Sequence, residues 1–335
     1  MSRSRAAVLS GLGSWLPPRV VTNEDLSRRF DTSDEWIRSR TGIAQRHVVD
    51  PGVATGDLAH EAGLRALKSA GTDSVDAVVL ATTTPDHLSP ATAPDVAARL
   101  GMGGTAAFDV AAVCSGFVYA LATGAGLIAS GIADSVLIIG AETFTTIVDP
   151  ADRSTSSIFG DGAGAVVLRA GEPGEPGAVG PFDLGSDGSL AHLLVIPAGG
   201  ARQRSSGREP EPGDTYFHMQ GSQVYKHAVL RMTESARRVL AAAGLGAGDI
   251  DRFVGHQANL RILDSVAERL GIPLDHRVTN IADVGNTAAA SIPLALADAA
   301  ARGELRPGHR VLAGAFGGGL TWGSCLFQWP DITPV

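Results

Sequence analysis

Apolar residues along the chain recur in two alternating rhythms. HEAGLRALKSAG (60–71) places its apolar positions on one face of a helix, and VDAVVLATTT (75–84) follows as a buried strand. The pair returns as ESARRVLAAAG (234–244) and IDRFVGHQAN (250–259), with Gly244 matching Gly71 at an offset of 173. ARLGM (98–102) matches ERLGI (268–272) at 170, while YALA (119–122) matches LALA (294–297) and VLIIG (136–140) matches VLAGA (311–315), both at 175. Four segments repeated in the same order predict a duplicated α/β unit. Helices alternating with buried strands predict sheets covered by helices. Two related halves, 1–175 and 176–335, then pack as a layered α/β sandwich with pseudo-twofold symmetry. Equivalent strand-end loops meet near the axis, so a composite site can draw on residues far apart in sequence.

Residues 1–16 (MSRSRAAVLSGLGSWL) offer basic residues and then an apolar run. Gly and Ser break that run and no A-x-A-like cleavage site follows, so it reads as a first strand, roughly 6–12, and a turn. The apolar stretch 117–141 contains Asp134 and several glycines and divides into a helix and a strand, so no membrane span is expected. With 44% hydrophobic and 19% charged residues among 335, the chain has ample material for a core. Its 27 Lys and Arg against 35 Asp and Glu leave a net charge of −8, which argues against general nucleic-acid binding. Two cysteines, Cys114 and Cys325, cannot form a disulfide framework, which points to a reducing cytoplasm.

Cys114 lies in FDVAAVCSGFVYAL (108–121), where an apolar strand ends and Ser115-Gly116 opens a helix. A thiol at such a turn sits at the positive end of a helix dipole, which favours the thiolate. Cys325, on a late strand, reads as packing. Among nine histidines, His256 alone follows an apolar strand and precedes a helix start, at Gln257-Ala258-Asn259. Asn286 in ADVGNTAAAS (282–291) stands 172 residues after Cys114, so the repeat predicts that the two are symmetry mates. Cys, His and Asn together suit nucleophilic catalysis. Papain-like peptidases use the same residue types, but their local signature around the Cys is absent. The glycine clusters FGDGAGA (159–165) and AFGGGLTWG (315–323) match no phosphate-loop pattern and read as places of close backbone approach, with amides available to an oxyanion.

DTSDEWIRSRTGI (31–43), FDVAAVCSGF (108–117), DRSTSSIFGDGAGA (152–165), GHQANLRI (255–262), GNTAAASIPLAL (285–296) and AFGGGLTWGS (315–324) together resemble β-ketoacyl-acyl-carrier-protein synthase III, of the thiolase superfamily. The resemblance runs from about residue 5 to 328 and implies that family's duplicated five-layer αβαβα fold. It makes Cys114 the acylated nucleophile, with His256 and Asn286 completing a triad. It places Thr32, Trp36, Arg40 and Arg153 against the nucleotide end of coenzyme A, and Asn259 near the pantetheine arm. Phe316 and Gly318 fall in the glycine loop, where the amides of Cys114 and Gly318 form the oxyanion hole. Lys226, Arg261 and Arg269 occupy the carrier-protein docking positions. Two departures stand out. Gly255 replaces the family's usual Pro before the histidine, which loosens that turn. Ser89 in HLSP (87–90) replaces an aromatic that, in acetyl-preferring members, reaches across a dimer to cap the acyl pocket. Ser89 therefore predicts room for a longer or branched primer.

The implied reaction is a decarboxylative condensation of an acyl-CoA primer with malonyl-acyl-carrier protein, giving 3-oxoacyl-carrier protein. Coenzyme A enters as a thioester substrate, and no metal, flavin or nicotinamide is implied. A cytoplasmic homodimer is expected. The rivals are starter-unit priming or plain acyl transfer in a specialised pathway, a non-catalytic homologue, and a chalcone-type synthase. Cys114 speaks against the non-catalytic homologue, and the paired His256 and Asn286 against plain transfer.

Overall fold

The computed structural model describes residues 5–335; the start of the 1–16 segment read above, residues 1–4, lies outside them. Two sheets carry the fold. The first contains β1 (Ala6–Trp15), β2 (Ala77–Ala81), β3 (Ala106–Val110), β4 (Ser135–Glu142) and β5 (Gly162–Gly171), in the order β1-β5-β4-β2-β3. The second contains β6 (Val179–Ser186), β7 (Arg252–Gly255), β8 (Arg310–Gly317) and β9 (Thr321–Gln328), in the order β6-β9-β8-β7. The strand directions repeat. The β1/β5 and β5/β4 pairs are antiparallel and β4/β2 parallel; likewise β6/β9 and β9/β8 are antiparallel and β8/β7 parallel. Where β3 continues the first sheet, a single parallel bridge between Phe253 and Arg277 continues the second.

Strand periodicity explains the layering. Along β2 and β4, Ala77, Val79, Ala81, Val136 and Ile138 face one core, while Val78, Leu80, Leu137 and Ile139 face another. Both faces are buried, which is why these strands read as unbroken apolar runs. The outer core packs α2 (Thr55–Ala70) and α3 (Ala93–Arg99) on the first sheet. The middle core packs α4 (Gly116–Ala129) and α7 (Ser291–Ala301) between the sheets. A third packs α5 (Gly221–Ala243) and α6 (Leu260–Leu270) on the outside of the second sheet. Helix, sheet, helix, sheet and helix make five layers. The apolar stretch 117–141 divides into α4 and β4 as expected, and β1 runs three residues beyond its expected end, to Trp15.

The repeat fixes the geometry at the axis and corrects one expectation. The 3-10 turns 113–115 and 288–290 precede α4 and α7 at the common offset of 175 that Gly116 and Ser291 define. Each turn begins with a residue at positive φ, Val113 at 47° and Ala288 at 44°. The mate of Cys114 is therefore Ala289, not Asn286. Asn286 sits before its turn, where its N–H donates to the Ile158 carbonyl and its carbonyl accepts from Gly160 N–H. The extra spacing carries Asn286 off the axis position and onto the 158–160 loop.

Candidate active site

Cys114 lies in the middle of its turn, half-buried, with its neighbours tightly held. Ser115 Oγ donates to the Ala112 carbonyl and to Thr321 Oγ1, both at 2.8 Å, and Thr321 Oγ1 in turn reaches the carbonyls of Ala112 and Gly318. A Cβ added at Gly317 would fall 2.7 Å from the Cys114 nitrogen, so only glycine lets the 316–318 loop approach this turn. Val113, a β-branched residue at positive φ, is held in a conformation that costs energy, as is common beside reacting groups. The expectation of a favoured thiolate does not survive. Burial, reinforced by the charge of Glu142, pushes the Cys114 thiol far above its ordinary range, and these effects outweigh the partial charge of a helix end.

His256 follows β7 and is 2% exposed. Its N–H donates to the Gly314 carbonyl at 2.8 Å and the Ala258 N–H returns to the His256 carbonyl, also at 2.8 Å. Gly255, before this turn, is buried, and an added Cβ would stand 2.4 Å from Leu263 Cδ2. Burial lowers the imidazole pKa to about 3, so the ring is neutral. Nδ1 lies 2.6 Å from Ser291 Oγ, which accepts the Gln257 N–H at 3.3 Å. When the Ser291 hydroxyl donates to Nδ1, the neutral ring carries its proton on Nε2. Ser291, the first residue of α7, was not singled out from sequence; only its place six residues into GNTAAAS pointed toward it.

Asn286 is 5% exposed, and its Oδ1 accepts the Ala288 N–H at 2.9 Å, which leaves its NH₂ as the group able to donate to a ligand. Cys114, His256 and Asn286 line one cavity of about 260 Å³ with Phe316 and Gly317. The rest of its wall is mainly apolar. Phe159, Leu194 and Phe217 stand with Cys114 around a packed cluster in which Phe144 and Phe159 stack at 4.2 Å and Phe217 meets both edge-on. Phe144 and Phe217 had no sequence signal, because their segments lie outside the repeat and contact Cys114 only through the fold.

The cavity opens past Asn259 to Trp36 and Arg40. Both are on α1 (Asp34–Thr41), capped by Ser33 Oγ on Trp36 N–H. The Arg40 guanidinium lies 4.3 Å over the Trp36 ring and that of Arg153 4.8 Å over it. Asn259 caps α6 through Oδ1 and donates Nδ2 to the Arg40 carbonyl at 2.9 Å, tying the two helices together at this mouth. Thr32 does not line the cavity; its buried hydroxyl has no hydrogen-bond partner, while Arg153 donates to the Asp31 carbonyl beside it. Gly318 also stands behind the wall, against Val113 and Leu194.

Ser89 is exposed, beside Leu88 at 76% exposure, and does not line this cavity. The expectation for Ser89 concerns the acyl pocket of a second copy, and within this chain the wall near Cys114 is aromatic. Lys226 on α5 and Arg261 and Arg269 on α6 are all exposed, on helices that pack together. Among the described residues no helix is long and apolar enough to cross a membrane.

Comparison with known proteins agrees with this arrangement. The family model for 3-oxoacyl-[acyl-carrier-protein] synthase III matches residues 108–188, and the model for its C-terminal part matches 240–329. The chain is 62% identical over 332 residues to beta-ketoacyl-[acyl-carrier-protein] synthase III 5 of Streptomyces coelicolor, covering 99% of this chain and 100% of that protein. It is 54% identical over 331 residues to beta-ketoacyl-[acyl-carrier-protein] synthase III of Pseudomonas aeruginosa (strain LESB58), covering 99% of each. The crystal structure of 3-oxoacyl-(acyl carrier protein) synthase III from Pseudomonas aeruginosa PAO1 superposes with a TM-score of 0.92 at 52% identity, covering 98% of this chain and all of that one. The priming β-ketosynthase of the R1128 polyketide pathway superposes at 0.90 with 35% identity, covering 99% and 98%.

Proposed function

This chain belongs to the 3-oxoacyl-[acyl-carrier-protein] synthase III family of thiolase-fold condensing enzymes, and from that premise we propose how its own residues divide the chemistry. The enzyme is an acyltransferase that condenses an acyl-CoA with malonyl-acyl-carrier protein. In the first half-reaction Cys114 Sγ attacks the acyl-CoA carbonyl, and the sulfur's proton leaves with the departing coenzyme A thiolate. Because burial keeps the resting sulfur a thiol, this proton moves as the new C–S bond forms. The oxyanion is assigned to the amide of Cys114 together with that of Gly318, which stands behind Gly317 in the same loop.

In the second half-reaction, malonyl-carrier protein enters the same mouth. His256 Nε2–H and the Asn286 NH₂ donate to its thioester oxygen, and carbon dioxide leaves to give the enolate. The enolate carbon then attacks the acyl-Cys114 carbonyl, and the cysteine takes a proton as it is released. His256 stays neutral and acts as a fixed donor in this step. One such donor is typically worth about 2.7–4 kcal/mol of transition-state stabilisation.

The reading rests on one observation: three residues from distant segments, Cys114, His256 and Asn286, share one cavity whose mouth carries Trp36 and Arg40. The nucleotide end of coenzyme A is assigned to Trp36, Arg40, Arg153 and Thr32, its pantetheine arm to Asn259, and the carrier protein to Lys226, Arg261 and Arg269. The two halves are taken as 1–175 and 176–335. A cytoplasmic homodimer is proposed; β3, the open edge of the first sheet, supports the pairing of two copies. Intact-mass analysis after exposure to a panel of acyl-CoAs tests the assignment. The wild type and Cys325→Ala gain one acyl group and Cys114→Ala gains none; an adduct on Cys114→Ala refutes it.

A further inference from the structure

One buried acid takes no part in the steps above. Glu142 ends β4 with no solvent exposure, and none of its hydrogen-bond partners is a basic side chain. The Thr83 N–H donates to both of its oxygens, at 3.1 and 3.0 Å, and Thr84 Oγ1 donates to Oε2 at 2.9 Å. From the other half of the molecule, the Ala289 N–H reaches Oε1 at 3.4 Å. Ala289 is the mate of Cys114 and lies against its turn: a Cβ added at Gly116 would stand 3.5 Å from the Ala289 Cβ. The short run 286–291 therefore carries three attachments. Asn286 Oδ1 takes the Ala288 N–H, Glu142 takes the Ala289 N–H, and Ser291 Oγ holds His256.

We propose that Glu142 is a positioning residue for this reaction, its carboxylate clamping the Thr82–Thr84 loop to the turn that presents Asn286 and setting the charge beside Cys114. The inference rests on the assignment of Asn286 made above. Burial raises the Glu142 carboxyl to about 7, so the charge comes and goes near neutral pH. The other charged groups on the surrounding elements are engaged elsewhere. Asp57 on α2 holds Arg99 and the Ala54 N–H, and Asp86 holds the Gly56 N–H. Asp109 on β3 holds the Thr92 and Ala93 N–H groups, and Asp161 holds Thr145 and the Val49 N–H. His256 is neutral, which leaves Cys114 as the ionisable neighbour that feels Glu142.

Two readouts test this on the full-length enzyme: the rate at which iodoacetamide alkylates Cys114 across pH, and carbon dioxide release from labelled malonyl-carrier protein. In Glu142→Gln the alkylation rate matches wild type at pH 6 and exceeds it about three- to tenfold at pH 8.5, where the native carboxylate is charged; half to one pH unit of thiol acidity corresponds to that factor. Decarboxylation by the same variant falls about tenfold or more, because an amide cannot accept from both Thr83 and Ala289 without turning its NH₂ toward a donor. Glu142→Asp keeps the alkylation profile within twofold of wild type and still loses decarboxylation, since its shorter arm does not reach Ala289. A purely structural role would depress both readouts together. The proposal is overturned if Glu142→Gln alkylates no faster than wild type at pH 8.5, or if either variant decarboxylates at the wild-type rate. Should Glu142→Gln lack a cooperative thermal transition, Glu142→Asp decides alone, its wild-type decarboxylation overturning the clamp. The alkylation arm does not depend on Cys114 carrying the acyl group, so a failure here is distinct from an acyl adduct appearing on Cys114→Ala.

Discussion

Burial lowers the His256 pKa to about 3, so the donor it offers is a neutral ring across the physiological range. In histidine-labelled NMR its ring resonance should stay at the neutral position from pH 8 down to about pH 4; an inflection near 6.5 would contradict the assignment. The sign for stability follows. The unfolded chain takes up a proton at this residue below about 6.5 and the folded chain does not, so its contribution is present above that pH and is lost as pH falls toward about 3. Ser291 Oγ lies 2.6 Å from His256 Nδ1 and orients the ring, so Ser291→Ala should slow malonyl decarboxylation about fivefold or more, the worth of roughly 1 kcal/mol of hydrogen bond. Its acylation by acyl-CoA should remain within twofold of wild type. Phe217 bears on primer choice because it walls the space beside Cys114. Each methylene accommodated is worth about 0.8 kcal/mol, so Phe217→Ala should raise kcat/KM for acyl chains two or more carbons longer by about tenfold relative to the native optimum. Competition kinetics read this directly, and an unchanged ranking would move the acyl pocket elsewhere.

Elements rather than single residues place the triad, and they show why the sequence was readable in some places and not in others. Cys114 and His256 were legible because each stands between an apolar strand and a helix start, a pattern that periodicity reports well. Asn286 was found for a reason that proved wrong. Matched segments suggested a symmetry mate, yet the paired turns put Ala289 opposite Cys114, and only the backbone conformation at Val113 and Ala288 reveals the register. Glu142 and Ser291 were illegible because their roles depend on tertiary contacts, Glu142 with Ala289 of the other half, 147 positions away, and Ser291 with His256, 35 positions away. The thiolate expectation took account of the helix end but not of burial and the Glu142 charge, both of which raise the Cys114 thiol. Docking belongs to this scale as well. Charge reversal of Lys226, Arg261 and Arg269 together, on α5 and α6, should raise KM for malonyl-carrier protein at least tenfold with an effect that shrinks as salt rises. Acylation by acyl-CoA, which needs no carrier protein, should fall far less.

For the whole molecule, duplication supplies two sheets of the same strand order whose central helices begin at a shared axis; the repeat anticipated a layered α/β sandwich, and the family resemblance its five layers. What the repeat does not encode is how the halves diverged: one turn keeps the nucleophile, while the other keeps an alanine and presents an asparagine from upstream. Ser89, in the exposed stretch 87–91, belongs to this scale because the resemblance sets that position at a neighbouring copy's acyl pocket. If a second copy seats Ser89 at its neighbour's cavity, Ser89→Phe shifts primer choice toward acetyl-CoA in competition kinetics, and an unchanged choice rules that arrangement out. The central claim is that one cavity runs two half-reactions with separable residues. Carbon dioxide release from labelled malonyl-carrier protein by Asn286→Ala, an enzyme that still accepts an acyl group on Cys114, tests it most directly. Release should fall by roughly two to three orders of magnitude while the acyl adduct forms normally; wild-type release from that variant would contradict the account.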